Sequence, residues 1–196
     1  FCAGGDLKQM GGEPPALAPK GDYADLLLAF RSVEKPTIAK VRGAAMGGGL
    51  GLVASCDFAV AAESAVFGTP EIQRGLFPMM IMAVLARVMP RRALLPMMLL
   101  GEKLTAAGAL DAGVLTGVEP AESLDDTVAT LAARLAAQSP TAMRMGLRAF
   151  HHQADRALEE SVPYLRDQLF ALLGTDDARE GLLAFMEKRA PVWTGR

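Results

Sequence analysis

Three consecutive glycines, Gly47, Gly48 and Gly49, separate a β-rich apolar run from an apolar run that is compatible with a helix. Residues 37–41 predict a strand before the glycines, and residues 50–54 predict a buried helix after them. Glycine permits positive φ angles and a close approach of other backbone. A strand, a glycine turn and a helix leave backbone N–H groups free at the helix N-terminus, where they can hold negative charge. This pattern predicts an anion site, an oxyanion hole that stabilises charge formed during a reaction, or a tight turn packed against a neighbouring helix.

The composition is typical of a compact chain with one substantial core. Of its 196 residues, 51% are hydrophobic and 21% are charged, and the net charge is −2. These values predict no basic surface for nucleic acid or anionic lipid, and no apolar run is long enough to span a membrane. Two cysteines are too few for a disulfide framework or a zinc site. We therefore expect a reduced, cytoplasmic protein.

A second strand-to-helix turn is predicted at the beginning of the chain. Gly4 and Gly5 precede Asp6, whose side chain can cap a short helix by accepting from the following backbone N–H groups. Residues 11–22 contain six glycines and prolines, which predict a loop. Loops beside functional sites often act as lids.

Glu71 follows Thr69 and Pro70, and proline is favoured at the first position of a helix. A carboxylate in the first turn complements the helix dipole; beside the apolar residues 76–82 it is also suited to acid–base chemistry. Both interpretations stay open at this stage. The sequence from residue 81 onward predicts mostly helices. They cover residues 83–88, 91–100, 105–113, 123–138 and 158–173, and two more begin after Ser139 and after Thr175. The order is α/β first and all-α afterwards.

Four segments together resemble the crotonase superfamily, the enoyl-CoA hydratase/isomerase family. Residues 1–7, FCAGGDL, are similar to its first oxyanion-hole motif, and residues 35–49 are similar to its second. Residues 67–72, followed by Gly75 and Pro78, are similar to its catalytic-acid segment. Residues 185–189 with Trp193 are similar to its C-terminal signature. The likeness covers essentially the whole chain in the right order.

The resemblance implies an α/β fold with a crotonase-like spiral ββα core and a C-terminal helical region. We expect residues 1–120 to form the core with the acyl-CoA site, its N-terminal part missing, and residues 121–196 to form a helical oligomerisation region. The family also implies a coenzyme A thioester as substrate, fatty acid metabolism, and assembly as a homotrimer or a dimer of trimers. Neither a metal nor a further cofactor is expected.

The resemblance also implies roles for individual residues. The backbone N–H groups of Gly5 and Gly48 would form the oxyanion hole, and Glu71 would transfer the proton. The expected substrate contacts are Ala3, Gly4, Asp6, Gly47, Met79 and Lys188. The run of residues 79–82, MMIM, would shape the acyl pocket or pack in the core. Lys188 and Arg189 would pair with CoA phosphates or form a solvated charge cluster. His151 and His152 are adjacent on a helix and face different directions, so they predict no joint site.

Gly51 is the departure from the family pattern. Family hydratases usually carry two glutamates that hold one water, one at the position of Gly51 and one at that of Glu71. One carboxylate suffices to move a proton along an acyl chain. The sequence therefore predicts an enzyme of the enoyl-CoA hydratase/isomerase type with a single proton-transferring glutamate, isomerisation and hydration both being open. The alternative is a non-catalytic acyl-CoA binding or assembly protein.

Overall fold

The computed structural model describes residues 1–5 and 20–196. Asp6 and residues 11–19 of the predicted loop lie outside the described residues. The strands are β1 (Ile38–Val41), β2 (Ala45–Met46), β3 (Phe58–Ala62), β4 (Val66–Gly68), β5 (Lys103–Thr105) and β6 (Gly117–Glu119). The α-helices are α1 (Tyr23–Ser32), α2 (Gly48–Ser55), α3 (Met79–Val88), α4 (Arg91–Leu100), α5 (Ala106–Asp111), α6 (Leu124–Ala136), α7 (Pro140–Gln153), α8 (Leu158–Leu173) and α9 (Asp176–Glu187). A short 3₁₀ helix covers Pro70–Arg74.

The described chain divides into two compact units. The first unit comprises Phe1–Phe30 and Thr37–Thr130 and contains β1 to β6. The second comprises Arg31–Pro36 and Leu131–Arg196 and is helical. The observed order is therefore α/β first and helical afterwards, as the sequence predicts, while the division at residue 120 stays a prediction.

Two three-stranded sheets organise the first unit. One has the order β1-β3-β6, and all its strands are parallel. The other has the order β2-β4-β5, in which β2 runs parallel and β5 antiparallel to β4. Strand β3 is buried along Ala59–Ala62 because both of its faces are covered, as in the centre of a parallel sheet. Strand β1 alternates instead: Ala39 and Val41 face inward, and Lys40 faces outward.

Helix α2 passes through the centre of this core. Leu50 and Val53 are essentially inaccessible, and they pack with residues of both sheets and of α3 and α4. Gly49 and Gly51 are also buried, so the helix has small residues where other chain segments come closest. The core of the first unit thereby fixes the N-terminus of α2, where the triple glycine lies.

Three local expectations are corrected by the structure, and one strand is added to those that the sequence predicts. The segment after Thr69 is a single 3₁₀ helix, ended by Gly75 in the left-handed region, and not an α-helix. Helix α3 begins at Met79 rather than residue 83, directly after Pro78. The sequence also predicts a short strand over residues 114–118, whereas the strand lies at Gly117–Glu119, where it pairs with β3. Ala45–Met46, which lies between the predicted strand and the glycines, forms a further strand by pairing with β4.

A buried carboxylate holds the chain end in the second unit. Asp177 in α9 accepts hydrogen bonds from Ser139 Oγ at 2.7 Å, from the backbone N–H groups of Thr194 and Gly195 at 2.8 and 3.0 Å, and from Thr194 Oγ1 at 3.1 Å. Burial opposes ionisation, but these hydrogen bonds hold the pKa of Asp177 well below its ordinary value. Ser139 also caps α7 by accepting from Ala142 N–H. One ionised side chain thus joins the beginnings of α7 and α9 to the C-terminal segment.

Candidate functional site

The two glycine motifs lie side by side in the first unit. Cys2 forms a parallel bridge with Ala45: its N–H donates to Ala44 O at 3.0 Å, and its carbonyl accepts from Met46 N–H at 2.9 Å. A side chain at Gly49 would collide with this bridge, because its Cβ would lie 2.5 Å from Cys2 O. Glycine at position 49 is therefore what allows the beginning of the chain to run against α2.

Gly47 turns the chain from β2 into α2. Its φ of 52° and ψ of −123° lie in a region that L side chains rarely adopt, and its N–H donates to Gly68 O at 2.9 Å. Gly48 then begins α2, and its N–H has no acceptor among the described residues. A Cβ on Gly4 would lie 3.9 Å from Gly48 N, so the first motif runs past this free donor.

Two backbone donors of the motifs line one cavity. Within residues 1–5 and 20–196, the N–H of Gly5 has no acceptor either, and both Gly5 and Gly48 line the cavity. Unpaired N–H groups at a helix N-terminus attract negative charge. If both donors contact one oxygen, they can stabilise a charge that forms on it. This arrangement fits the expected oxyanion hole and leaves its assignment as a proposal.

Glu71 lies on the 3₁₀ helix that follows β4. Thr69, which is fully buried, donates its hydroxyl to Met97 O at 3.0 Å and anchors the beginning of this segment. Oε1 of Glu71 lies 2.7 Å from the place where a Cβ on Gly47 would be. Oε2 is buried and has no hydrogen-bond partner among the described residues. An unpaired buried carboxylate oxygen is costly, so its presence beside a cavity indicates a group reserved for a ligand or a proton.

The cavity has a volume of about 760 Å³ and is lined by residues of the first unit alone. This is within the size range of pockets that enclose small-molecule ligands. Its wall combines the glycine motifs and Glu71 with large apolar side chains. Among the latter are Leu26, Leu52, Leu76, Phe77, Met79 and Met80. An apolar acyl group is the kind of ligand that such a wall favours.

Tyr23 is a wall residue that the sequence did not single out. Its hydroxyl donates to the carbonyl of Gly48 at 2.5 Å, and its ring lies 3.4 Å from a Cβ built on Gly48. Burial, followed by the nearby Cys2 and Glu71, raises the pKa of Tyr23 to about 12. The only available sequence signal was that Tyr23 begins the helix after the glycine- and proline-rich loop.

The surroundings of Gly51 leave no room for the second carboxylate that family hydratases carry at this position. A Cβ at this position would lie 2.4 Å from Ile81 Cγ2 and 2.5 Å from Tyr23 Oη. The space that a glutamate at position 51 would need is therefore filled by two side chains. Glu71 is the single carboxylate among the described residues that line the cavity.

Most of the expected site residues come together. Ala3, Gly4, Gly5, Gly47, Gly48, Glu71 and Met79 all line the cavity. Asp6 lies outside the described residues, and the described cavity wall does not include Lys188.

Lys188 belongs to the second unit, where it ends α9 with a φ of 57°. Arg189 pairs with Glu180 and Glu187, and its hydrogen bonds lower the pKa of Glu180 to about 2. The rings of His151 and His152 contact two different aromatic neighbours, Phe150 and Tyr164 respectively.

Two further features of the described ranges, residues 1–5 and 20–196, concern metal and membrane binding. No three His, Cys, Asp or Glu side chains there are grouped so that they could hold a metal ion. In the same part of the chain no helix has the length and apolarity needed to cross a membrane. The expected absence of a cofactor and the cytoplasmic location stay predictions.

The α/β core with its paired glycine motifs defines a fold of the crotonase type. The family model described as Enoyl-CoA hydratase/isomerase matches residues 1–196. The chain belongs to the enoyl-CoA hydratase/isomerase family, whose members act on acyl-CoA thioesters. The expected fold class, with its spiral ββα core and C-terminal helical region, is thereby confirmed.

Individual relatives support this assignment. Enoyl-CoA hydratase domain-containing protein 3, mitochondrial, from Danio rerio is 32% identical over 197 residues, which are 99% of this chain and 68% of that protein. The 2,3-dehydroadipyl-CoA hydratase of Escherichia coli (strain K12) is 35% identical over 198 residues, or 100% of this chain and 77% of that protein. The crystal structure of enoyl-CoA hydratase from Mycobacterium smegmatis superposes with a TM-score of 0.91 at 33% identity, covering 98% of this chain and 76% of that chain.

Proposed function

We propose that this protein binds an enoyl-CoA thioester and moves a proton on its acyl chain, with Glu71 as the single proton-transfer residue. The observation that carries the proposal is the buried, unpartnered Oε2 of Glu71 in the wall of a cavity that also exposes the free N–H of Gly48. The cavity's apolar wall supports an apolar acyl group as the part of the substrate next to the thioester.

The thioester carbonyl would accept hydrogen bonds from the N–H groups of Gly5 and Gly48. Removing a proton next to this carbonyl converts the thioester into an enolate, whose charge develops on the oxygen. Preorganised donors act on this charge, and each contributes roughly 3–4 kcal/mol to transition-state stabilisation in other oxyanion holes. Ala3, Gly4 and Gly47 would contribute the shape of the backbone around the thioester, and Met79 would contact the acyl chain.

Glu71 would carry the proton. In isomerisation of a 3-enoyl thioester, its carboxylate takes a proton from C2, and the electron pair delocalises into the enolate. The same carboxyl group then returns a proton to C4, which leaves a double bond between C2 and C3. One group that accepts and donates a proton in turn is sufficient for this reaction.

Hydration requires the site to transfer two different protons. A water must lose a proton as its oxygen bonds to C3, and a proton must be delivered to C2. Because the space beside Gly51 is filled, Glu71 is the only carboxylate of the described cavity wall that could do both. This supports isomerisation over hydration as the reaction of this site.

The test is a screen of straight and branched 2-enoyl- and 3-enoyl-CoA thioesters in heavy water, followed by mass spectrometry. Isomerisation predicts a shifted double bond, with deuterium incorporated on the acyl chain and no added water. A mass gain of one water would assign the protein to hydration instead. Binding of acyl-CoA by calorimetry, without any conversion in the screen, would identify the non-catalytic alternative.

Glu71→Gln is the matched variant for this screen. The amide keeps the size of the side chain but cannot accept the proton, so we expect turnover to fall by about 10²–10⁴-fold. The Kd of acyl-CoA should change little, because binding rests on the backbone donors and the apolar wall. Full activity in this variant would remove Glu71 from the mechanism.

We also propose that the protein is a homotrimer or a dimer of trimers. The second unit exposes large apolar side chains on α8 and α9, among them Phe170 at 65%, Phe185 at 84% and Met186 at 71% exposure. Exposed apolar clusters of this kind favour association with another chain. Light scattering after size-exclusion chromatography should give three or six times the mass of the chain, and a monomer at micromolar concentration would contradict the proposal.

A further inference from the structure

The Gly47–Gly48–Gly49 segment requires its neighbours to hold it in place. Glycine has more conformational freedom than any other residue, so a glycine run orders itself poorly. Gly47 is fixed by its N–H bond to Gly68 O at 2.9 Å. Gly49 is fixed by packing on Cys2, which approaches to a distance that excludes any side chain.

Gly48 receives a different restraint, and Tyr23 supplies it. The Tyr23 hydroxyl donates to Gly48 O at 2.5 Å from a residue 25 positions earlier in the chain. The ring lies along Gly48 at 3.4–3.5 Å from a built Cβ, so both the hydroxyl and the ring restrict this residue. Because Gly48 begins α2, its own N–H has no partner within the helix to orient it.

The hydroxyl is suited to a fixed donor role. Its half-buried position beside Cys2 and Glu71 raises the pKa of Tyr23 to about 12, so the group stays protonated at neutral and mildly alkaline pH. A protonated hydroxyl donates continuously to a carbonyl, and its electrostatic effect on the site does not change over this range.

We propose that Tyr23 is a positioning residue of the oxyanion hole: its hydroxyl holds the Gly48 carbonyl and its ring packs on Gly48, and together they restrict the rotation of this residue so that its N–H stays directed into the cavity. The proposal rests on the proposed function, in which this N–H contacts the thioester oxygen. It assigns to a helix outside both glycine motifs the task of keeping one donor in the geometry that the reaction requires.

The first test compares Tyr23→Phe with Tyr164→Phe. The chain has two tyrosines, and Tyr164 lies on α8 in the second unit with its ring against His152. Tyr23→Phe keeps the ring on Gly48 and removes only the hydroxyl. We expect kcat to fall by about 10- to 100-fold, since a misplacement of about 1 Å can cost 100-fold. KM should stay within a factor of about three, and Tyr164→Phe should match the unmodified protein in both constants.

The second test measures, without turnover, how strongly the oxyanion hole polarises the carbonyl of a bound thioester. The absorption band of cinnamoyl-CoA, a conjugated thioester, moves to longer wavelength when hydrogen bonds polarise its carbonyl. At saturating ligand, and with folding verified by circular dichroism, we expect a red shift in the unmodified protein and in Tyr164→Phe. The shift should be clearly smaller in Tyr23→Phe.

The outcomes separate this inference from the proposed function. A protein that shows the red shift but converts no enoyl-CoA would refute the proposed reaction, while the shift lost in Tyr23→Phe would still support the positioning role. An equal shift and an equal kcat in Tyr23→Phe would overturn the positioning role and leave the reaction standing. Absence of any shift in the unmodified protein would overturn the inference as well.

Discussion

Gly47 links the glycine turn to the proposed proton-transfer group, and Gly47→Ala perturbs this link directly. The new Cβ would lie 2.7 Å from Oε1 of Glu71, whereas ordinary van der Waals contacts begin at 3.4 Å. The carboxylate lies at the end of a flexible side chain, so it can retreat by about 0.7 Å to relieve the overlap. The backbone cannot relax as easily, because β2 and α2 fix it on both sides.

Gly47→Ala is expected to lower both the free energy of unfolding and kcat. An L side chain at the φ of 52° and ψ of −123° of Gly47 costs of order 1–3 kcal/mol in the free energy of unfolding. Moving the carboxylate by more than half an ångström should lower kcat by about 10- to 100-fold, by the same sensitivity to position that governs near-attack geometry. The two effects are measured separately, by chemical denaturation and by steady-state kinetics on the enoyl-CoA identified in the screen.

Gly75→Ala is the control for the backbone cost. Gly75 also has a positive φ, of 71°, but a Cβ there would meet nothing within 4 Å. We expect Gly75→Ala to lose stability, by about 1–2 kcal/mol, and to keep the kcat of the unmodified protein. If Gly47→Ala also kept its kcat, or if both variants lost kcat equally, the contact between Gly47 and Glu71 would not be what places the carboxylate.

Two further predictions follow from close contacts and from a buried charge. Gly51→Ala should destabilise the protein by about 1–3 kcal/mol through overpacking against Ile81 and Tyr23, whereas Gly146→Ala, whose Cβ meets nothing within 4 Å, should show no such loss in the same denaturation assay. Asp177→Asn should destabilise the second unit, since the ionised carboxylate is what the surrounding donors hold. Because folding lowers the pKa of Asp177, its contribution is complete above the ordinary aspartate pKa of about 3.9 and is lost as the pH falls toward the folded-state value. The stability gap between the two proteins should therefore narrow below about pH 4, and a gap that is constant down to pH 2 would contradict this reasoning.

The local structure of the chain could be predicted well where one signal dominates. Helix α8 runs over Leu158–Leu173, the range that the sequence predicts, and Gly174 follows it. The segment after Thr69 was predicted less well, because proline and glutamate favour a helix start but do not distinguish an α-helix from one 3₁₀ turn. Gly75 determines the outcome by ending the segment in the left-handed region after one turn.

The part of the candidate site that could be predicted comprises its backbone groups, Glu71 and Met79. These residues occur in ordered motifs, so their positions along the chain carry a signal. The contact of Tyr23 with Gly48 carries none, because it joins residues 25 positions apart through tertiary packing. The filled space at Gly51 could not be predicted either, because a glycine in the sequence does not indicate which side chains approach it.

The glycines at positions 47, 49 and 51 allow three close contacts at the beginning of α2. Gly49 admits the backbone of Cys2, Gly47 admits the carboxylate of Glu71, and Gly51 admits the hydroxyl of Tyr23. Each approach is closer than a Cβ would allow, and each brings a different element against the first turns of one helix. A second carboxylate at position 51 would have to displace Tyr23 or Ile81. The close packing that supports the glycine turn therefore excludes it, and Glu71 is the single carboxylate of the described cavity wall. Introducing a carboxylate at position 51 would therefore require changing Tyr23 or Ile81 together with Gly51.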